Sequence, residues 1–292
     1  MPDSVAPVAA ILGEGPVWIA RDAALWFVDI KAPAIYRFDP ATGAERHWPA
    51  PAQVSWVLPH SDGSLIVGLQ SGLARFAPAS GAFAFIGAVE PRLPYNRLND
   101  ATTDPHGRLW FGSMDDAETA PSGHIYRADA RGIARMVSGI SITNGPALSP
   151  DGRLLYHNDT LGRRVFVSHV GEDGVLHDSR VFAEIETGYP DGPTVDSEGG
   201  LWVALYAGWG VHHYDPGGRL VETIHFPVAN VTKIAFGGAD LRTAYATTAS
   251  KGLSRSECAA QPLAGNLFAF DPCVAGQHTV PAAPFTIERR YD

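Results

Sequence analysis

The chain of 292 residues is 45% apolar, a composition that allows a sizeable buried core and argues against disorder. Its formal net charge of −9 excludes a nucleic-acid partner, because phosphate binding needs clustered Lys and Arg side chains. No stretch approaches the roughly 20 apolar residues of a membrane span, and the N-terminal sequence lacks the basic start and long apolar core of a signal peptide. We therefore expect a cytoplasmic protein with one domain over residues 1–292 and no nucleic-acid or membrane partner.

Glycine and proline interrupt the chain throughout. The 31 glycines and 23 prolines are spread along the sequence, and no stretch has the pattern of a long amphipathic helix. This distribution favours an all-β fold. The two cysteines, Cys258 and Cys273, could pair, but two thiols in a cytosolic chain are more often reduced, and we assign them no role.

Six predicted strands recur at nearly even spacing, each as a polar or glycine turn followed by a run of β-forming residues. Taking the leucine of each copy, with Thr243 in the last, the reference positions are 25, 65, 109, 154, 201 and 243. The intervals are 40, 44, 45, 47 and 42 residues. In chain order the copies are RDAALWFVDI (21–30), SDGSLIVGLQ (61–70), PHGRLWFGSM (105–114), PDGRLLYHND (150–159), SEGGLWVALY (197–206) and ADLRTAYATT (239–248).

Most copies are followed by a further strand and turn, so each unit contains a hairpin with flanking strands. Six units of about four short strands predict a six-bladed β-propeller, in which the blades stack around a central channel. A β-sandwich, the alternative, would not require six copies at so even a spacing. The following strands are AIYRFDPATG (34–43), LARFAPASG (73–81), HIYRADARG (124–132), VHHYDPGGR (211–219) and LFAFDPCVAG (267–276).

The residue ten positions before each reference position is polar in five of the six copies. In a propeller this position lies on the innermost strand of the blade, so the equivalent side chains should converge at one end of the channel. Proline is tolerated there because an innermost strand is a sheet edge, and glycine permits close approach to the backbone. These positions are Gly15, Ser55, Asn99, Asn144, Asp191 and Lys233, with Glu14 one step earlier in the first copy.

Three of the copies place an oxygen-bearing side chain directly before a Gly-Pro pair: Glu14, Asn144 and Asp191. They offer hard oxygen ligands and two negative charges without thiolate or imidazole, which suits Ca²⁺, Mg²⁺, Mn²⁺ or Fe²⁺ better than structural zinc. Three ligands also leave room for water or a substrate oxygen. The alternative is that Asn and Asp are ordinary turn residues and Glu14 a solvated charge, but their shared register favours the metal site.

The third copy contributes NRLND (96–100) to the same end of the channel. Arg97, Asn99 and Asp100 are therefore candidates for substrate binding, since an Arg fork is a natural partner of substrate oxygens. The alternative for Arg97 is a surface salt bridge with a nearby acid. Lys233 could reach the channel or pair with an acid, and the sequence leaves both open.

The N-terminus is expected to close the ring. Val8–Ile11 precedes LGEGP as 137–140 precedes SITNGP, and each such strand would be the outer edge of the preceding blade. Residues of roughly 4–11 would then complete the last blade. The tail PFTIERR (284–290) has no assignment.

Other chemistry finds little support in the sequence. His212 and His213 cannot chelate one metal together, because adjacent residues of a regular strand face opposite sides of the sheet. No serine lies in a G-x-S-x-G sequence, so covalent serine chemistry is unsupported. Asp159 is expected to be a turn acid rather than a partner of the site.

The four segments LGEGPVW, NRLNDATTDPHGRLWFGSM, ITNGPALSPDGRLLYHNDT and YPDGPTVDSEGGLWVALY occur in this order, and with them the chain resembles the SMP-30/gluconolactonase family, also called regucalcin-like. It is most similar to the bacterial sugar lactonases of pentose breakdown. The resemblance implies a six-bladed propeller with one divalent cation that hydrolyses aldonolactones. We expect Ca²⁺ or Fe²⁺, with Mg²⁺, Mn²⁺ or Zn²⁺ as alternatives, and a monomer or weak dimer.

The resemblance also implies roles for individual residues. Glu14, Asn144 and Asp191 match the metal ligands of the family, Asp191 being also the expected base, and Arg97 and Asn99 match its substrate contacts. A further acidic substrate contact of the family has no clear counterpart, because Glu118 falls outside that register.

Three functions remain open at this stage. The first is hydrolysis of a pentono- or hexonolactone without a phosphate group. The second is a metal-dependent esterase or phosphotriesterase on the same scaffold, which the fold alone cannot exclude. The third is a calcium-binding propeller without enzymatic activity.

Overall fold

The computed structural model describes residues 1–287, which form 24 β-strands and one short α-helix, α1 (Arg255–Ala260). The strands make six antiparallel sheets of four strands each. The prediction of an all-β, six-bladed propeller is confirmed. None of the described helices is long and apolar enough to cross a lipid bilayer.

Blades 1 to 3 follow one another along the chain, each running from the innermost strand outward. Blade 1 consists of β2 (Gly13–Ile19), β3 (Ala24–Asp29), β4 (Ala34–Asp39) and β5 (Ala44–Pro49), preceded in the chain by β1 (Asp3–Ala6). Blade 2 consists of β6 (Val54–Pro59), β7 (Leu65–Leu69), β8 (Gly72–Ala77) and β9 (Ala82–Ala88). Blade 3 consists of β10 (Asn96–Thr103), β11 (Leu109–Asp115), β12 (Gly123–Asp129) and β13 (Gly132–Ile140).

Blades 4 and 5 repeat this order, and blade 6 is completed by the N-terminal strand β1. Blade 4 consists of β14 (Thr143–Leu148), β15 (Leu154–Asp159), β16 (Arg164–Val170) and β17 (Leu176–Glu184). Blade 5 consists of β18 (Tyr189–Val195), β19 (Leu201–Tyr206), β20 (Gly210–Tyr214) and β21 (Leu220–His225). Blade 6 consists of β22 (Val231–Gly237), β23 (Thr243–Thr248), β24 (Leu267–Phe270) and β1.

The closing strand is shorter than the sequence predicted. β1 pairs with β24, as expected, but it ends at Ala6 rather than continuing to residue 11. Pro7 has no N–H to donate to a neighbouring strand, and Ala9 adopts a left-handed backbone conformation with φ 52°. The predicted closure is therefore correct, and its extent was wrong.

The core lies between neighbouring blades. The innermost strands are buried along almost their whole length, whereas the outermost strands β5 and β21 are mostly exposed. In three blades an aspartate carboxylate accepts a hydrogen bond from a tryptophan indole N–H, and it is buried in two of them, Asp104 with Trp110 at 3.0 Å and Asp196 with Trp202 at 2.9 Å. Asp22 and Trp26 make the same bond in blade 1 at 3.1 Å.

The segment after β24 crosses the far end of the channel and ties several blades together. Gln277 Nε2 donates to the carbonyls of Leu148 in blade 4 and Val195 in blade 5. Thr103 of blade 3 donates to the carbonyl of Val280, and Ala282 pairs with blade 2 through the Pro59 carbonyl at 2.8 Å. Of the unassigned tail 284–290, residues 288–290 lie outside the described residues.

Candidate functional site

A cavity of about 270 Å³ opens at the end of the channel where the innermost strands begin. Four members of the predicted ring lie in its wall: Glu14, Asn99, Asn144 and Asp191. These residues come from blades 1, 3, 4 and 5, so side chains up to 177 positions apart in sequence meet here. We refer to this cavity as the mouth cavity.

A break in the regular strand register accompanies each of the three Gly-Pro pairs. The pairing shifts between Glu14 and Val17, between Asn144 and Ala147, and between Pro190 and Pro193. Such an irregularity bends the strand and changes the direction of its side chains, as a β-bulge does. The Gly-Pro pairs thus coincide with the points where the oxygen-bearing side chains turn into the cavity.

Glycine is needed in this turn for a steric reason as well. Gly15 has φ 54°, and a Cβ atom on it would lie 2.9 Å from the carbonyl oxygen of Ser55 in blade 2. Blade 1 therefore approaches blade 2 too closely at this point for a larger residue.

The two buried carboxylates of the cavity, Glu14 and Asp191, have few hydrogen-bond partners. Glu14 and Asp191 are both buried, and within residues 1–287 each carboxylate accepts one hydrogen bond, from the N–H of the following glycine at 3.0 Å. Burial, together with repulsion from Asp100, raises the pKa of Glu14 to about 7. Burial, with repulsion from Glu14 and then Asp100, also raises the pKa of Asp191 well above its ordinary value. This arrangement favours a positive charge in the cavity.

Hydrogen bonds fix the orientation of the Asn144 amide. The Thr160 hydroxyl donates to the Pro190 carbonyl at 2.8 Å, so it accepts from the Asn144 Nδ2 group at 2.8 Å. In the part of the chain that the structure describes, the Asn144 Oδ1 atom accepts one bond, from Asn99 Nδ2 at 2.9 Å. A carbonyl oxygen has two lone pairs, which leaves one for a further partner.

The donor set fits a divalent cation. Two buried carboxylates and one oriented amide oxygen provide three oxygen ligands and two negative charges, which would compensate a doubly charged ion. Within residues 1–287 no three His, Cys, Asp or Glu side chains cluster as a metal site, so a cation held here would take the Asn144 amide oxygen beside the two carboxylates. The set is therefore unlike that of structural zinc.

Arg97 lies beside the cavity and is held by three hydrogen bonds. Its Nε donates to Asp116 at 2.9 Å, and its Nη1 donates to the Leu98 carbonyl at 3.0 Å and to Asn99 Oδ1 at 2.5 Å. Asn99 in turn donates to the Thr143 carbonyl at 2.5 Å and to Asn144. Arg97 and Asn99 are thus held in place, and within residues 1–287 the Nη2 group of the guanidinium has no hydrogen-bond partner.

The structure does not bring Asp100, Ser55 or Lys233 to the cavity wall. The Asp100 carboxylate is buried and accepts from Lys233 Nζ at 2.5 Å and from the Gly145 N–H at 2.9 Å. Ser55 donates to the Leu98 carbonyl at 2.5 Å. The sequence left two roles open for Lys233, reaching the channel or pairing with an acid, and in the structure Lys233 pairs with Asp100.

Several residues of the mouth cavity were absent from the sequence prediction. Tyr189 and Tyr206 face each other across β18 and β19, and the Tyr206 hydroxyl donates to the Lys251 carbonyl. Lys251 forms an ion pair with Glu118, and both side chains are about one-third exposed, at 30% and 33%. Tyr206 is the last residue of β19, the second strand of blade 5, and it pairs with Tyr189 at the start of the innermost strand β18. Applying the repeat to the last residue of each second strand would therefore have predicted Tyr206 at the mouth.

Other residues considered in the sequence lie away from the cavity. His212 bonds to the Tyr214 hydroxyl, whereas His213 stacks on Trp202 with ring centroids 4.0 Å apart, so the two imidazoles do not act together. Asp159 accepts from the Ser141 hydroxyl at 2.7 Å. Cys258 and Cys273 are both free thiols.

Residues 12–250 match the family model described as SMP-30/Gluconolactonase/LRE-like region. The chain belongs to this family. The matched region contains Glu14, Arg97, Asn144 and Asp191, and it ends one residue before Lys251. The resemblance inferred from the sequence is therefore confirmed.

Relatives within this SMP-30/gluconolactonase-like family bear lactonase names. The chain is 34% identical to the 6-deoxy-6-sulfogluconolactonase of Pseudomonas putida, over 89% of this chain and 91% of that protein. It is 35% identical to the L-arabinolactonase of Azospirillum brasilense, over 92% and 91% respectively. The solved structure of the calcium-binding protein regucalcin from Agrobacterium tumefaciens superposes with a TM-score of 0.92 at 26% identity, covering 97% of both chains.

Proposed function

We propose that this protein is a metal-dependent lactonase that hydrolyses a neutral pentono- or hexonolactone to the aldonic acid. The observation that carries the proposal is the pair of buried carboxylates, Glu14 and Asp191, facing one cavity together with the Asn144 amide and the Arg97 guanidinium. The sugar-lactonase names of relatives that align along about nine-tenths of this chain support the same class of reaction.

Glu14, Asn144 and Asp191 would hold the cation, with Ca²⁺ or Fe²⁺ as the first candidates and Mg²⁺, Mn²⁺ or Zn²⁺ as alternatives. When bound, the cation supplies Lewis acidity toward the lactone carbonyl oxygen. The fixed amide of Asn144 offers its oxygen without reorientation, because Thr160 occupies the nitrogen side.

Asp191 acts as the base in this proposal. Its carboxylate takes a proton from the water that attacks the lactone carbonyl carbon, and the same proton then passes to the ring oxygen as the carbon–oxygen bond breaks. The products are the aldonic acid and the regenerated carboxylate, so the step needs no further reactant. Gly192 N–H, which donates to Asp191 at 3.0 Å, holds the carboxylate in place.

Arg97 and Asn99 position the sugar ring. The Nη2 edge of Arg97 is directed to the ring hydroxyls, while the bonds to Asp116 and Asn99 prevent the guanidinium from rotating away. Because the guanidinium is already fixed, little free energy of binding is lost in ordering it, and its hydrogen bonds hold the substrate in a productive orientation.

The charges around the mouth cavity favour a neutral substrate. Its two cationic side chains, Arg97 and Lys251, are each already paired with an acid, Asp116 and Glu118. A phosphate group would instead require several converging donors or cations. Lys233 cannot serve, since it is paired with Asp100.

The deciding experiment measures kcat/KM for lactone opening with and without a chelator. The substrates are xylono-, arabinono- and gluconolactone, 6-phosphogluconolactone, 6-deoxy-6-sulfogluconolactone and a simple aryl ester. We expect chelator-sensitive turnover of the neutral lactones and its restoration by a divalent cation. A higher kcat/KM for the phosphorylated or sulfonated lactone would contradict the proposal of a neutral substrate. A higher kcat/KM for the aryl ester would favour an esterase, and cation binding without turnover would favour a calcium-binding protein without enzymatic activity.

A further inference from the structure

A second cavity of about 490 Å³ lies between blades 1 and 2, away from the mouth. Strand β2 begins beside Glu14 at the mouth and ends at Ile19. The turn 20–22 that follows forms part of the wall of the second cavity. The groove therefore opens toward the opposite end of the propeller. Its wall includes Arg21, Arg37, Arg46, Trp26 and Trp48, and we call it the arginine groove.

Positive charge is in excess in the arginine groove, although the whole chain carries −9. Arg37 and Arg46 lie directly opposite each other on β4 and β5, and like charges in this position are destabilising. Asp22 is the acid in the wall, but its carboxylate already accepts from the Trp26 indole at 3.1 Å and lies 3.6 Å from Arg21 Nε. Within residues 1–287 neither Arg37 nor Arg46 forms an ion pair.

Blade 3 shows that the repeat does not require this excess of charge. There Arg127 pairs across the sheet with Trp110, as Arg37 pairs with Trp26 in blade 1. Arg127, however, lies 3.2 Å from the Asp129 carboxylate, and its neighbour on the outermost strand is Ala134. Blade 1 thus has an arginine where the equivalent position of blade 3 has an alanine, and among residues 1–287 neither Arg37 nor Arg46 has a carboxylate within ion-pair distance, although Arg37 Nη2 donates to the Asp22 carbonyl at 3.0 Å.

The aromatic wall of the groove is rigid. The indole rings of Trp26 and Trp48 stack with centroids 5.4 Å apart, and the Trp48 N–H donates to the Pro78 carbonyl at 3.0 Å. The Arg46 guanidinium carbon lies 5.0 Å from the centre of the Trp48 ring. This arrangement places a cationic edge beside a flat apolar surface.

We propose that the arginine groove binds a small phosphate monoester, its phosphate on Arg37 and Arg46 and its carbon skeleton against Trp48. Guanidinium groups match phosphate oxygens in geometry and charge, and a bound dianion would relieve the repulsion between the two arginines. The volume is within the range of about 300 to 1,000 Å³ usual for small-molecule sites. This site is independent of the reaction proposed at the mouth.

The test is a titration of the whole protein with glucose 6-phosphate and with inorganic phosphate, followed by calorimetry and by the indole N–H resonances in NMR. Glucose and sodium chloride at matched ionic strength are the controls. We expect saturable binding of the ester with a Kd below about 1 mM and shifts at the Trp26 and Trp48 resonances. If inorganic phosphate bound as tightly as glucose 6-phosphate, the proposed contact between the carbon skeleton and Trp48 would be wrong. If sodium chloride produced the same shifts of the indole resonances, the proposed phosphate site would be wrong.

Variants assign the binding to the groove. Arg46→Ala is expected to weaken the binding of glucose 6-phosphate at least about tenfold. Arg46→Lys should weaken it less, because lysine keeps the positive charge but lacks the forked donor geometry of the guanidinium. Arg131→Ala is the matched control, since it removes an exposed arginine from the turn that ends β12 in blade 3. Arg46 is exposed, so its replacement should leave the fold intact, which circular dichroism checks. Unchanged affinity in Arg46→Ala would contradict the proposal.

Discussion

Lys233 Nζ lies 2.5 Å from Asp100 Oδ1, and this ion pair joins blade 6 to blade 3 across the channel. Both side chains are almost fully buried. The other Asp100 oxygen accepts from the Gly145 N–H in blade 4, so one carboxylate connects three blades. Gly192 makes room for this crossing, since a Cβ atom there would lie 2.6 Å from Lys233 Cβ.

We expect Lys233→Met to lower the free energy of unfolding by about 3 to 5 kcal/mol, because it leaves the Asp100 carboxylate buried without its counter-ion. Denaturant unfolding measures the change. The double variant Lys233→Met/Asp100→Asn should recover part of the loss, since it removes the uncompensated charge. Equal losses in the single and double variants would show that the pairing of charges is not the cause.

Metal removal should lower the stability of the protein, and adding Ca²⁺ should raise its Tm in proportion to the logarithm of the free cation above Kd. In the metal-free state, Glu14→Gln should be more stable than the wild type by about 2 kcal/mol near pH 8, because one of two repelling buried carboxylates becomes neutral. The same variant should lose the Tm increase with Ca²⁺.

Glu118→Gln is the control for the metal-removal prediction. Its carboxylate lies at the mouth but is paired with Lys251 and outside the proposed ligand set. It should keep the response of Tm to Ca²⁺. A full response in both Glu14→Gln and Asp191→Asn would show that the cation binds elsewhere.

Arg97→Ala should reduce kcat/KM for a neutral sugar lactone about tenfold or more, because one oriented hydrogen bond worth roughly 1.5 kcal/mol is lost. Arg97→Lys should be intermediate. The rise of Tm with Ca²⁺ should persist in both variants, which distinguishes loss of substrate contact from collapse of the site. Wild-type kcat/KM in Arg97→Ala would remove Arg97 from substrate binding.

His157 should make the protein less stable in mild acid. Burial lowers the pKa of His157 from 6.5 to about 4, although Asp159 acts in the opposite direction. Between these values the unfolded chain takes up a proton that the folded protein does not, so stability falls as the pH decreases from about 6.5 toward 4. From pH 7 to pH 5 the loss amounts to about 2 kcal/mol.

His157→Phe tests this pH dependence, because phenylalanine can keep the stacking on Phe166, whose ring centre lies 5.2 Å away. Urea unfolding at pH 7 and pH 5 should show a smaller loss in the variant than in the wild type by about 2 kcal/mol. Identical losses in the two proteins would assign the acid sensitivity to other groups.

The sequence alone determined the architecture and much of the mouth cavity. The even spacing of six strand patterns predicted six equivalent blades, and the shared register placed Asn99, Asn144 and Asp191 at one end, with Glu14 one step before the equivalent position of the first copy. This was possible because a propeller repeats the same geometry in every blade. A position in the repeat therefore corresponds to a position in space.

Only the tertiary structure decided which side chains meet across the channel. Lys233 shares the register of Asp191, yet its length lets it reach Asp100 in the opposite blade instead of the cavity. Tyr206 lies in the mouth wall at the end of β19, and Lys251 reaches it from the turn that follows β23. The reason is physical: repeat spacing specifies where a backbone position lies, whereas the partners of a long side chain depend on the space and charge that the facing blades leave to it.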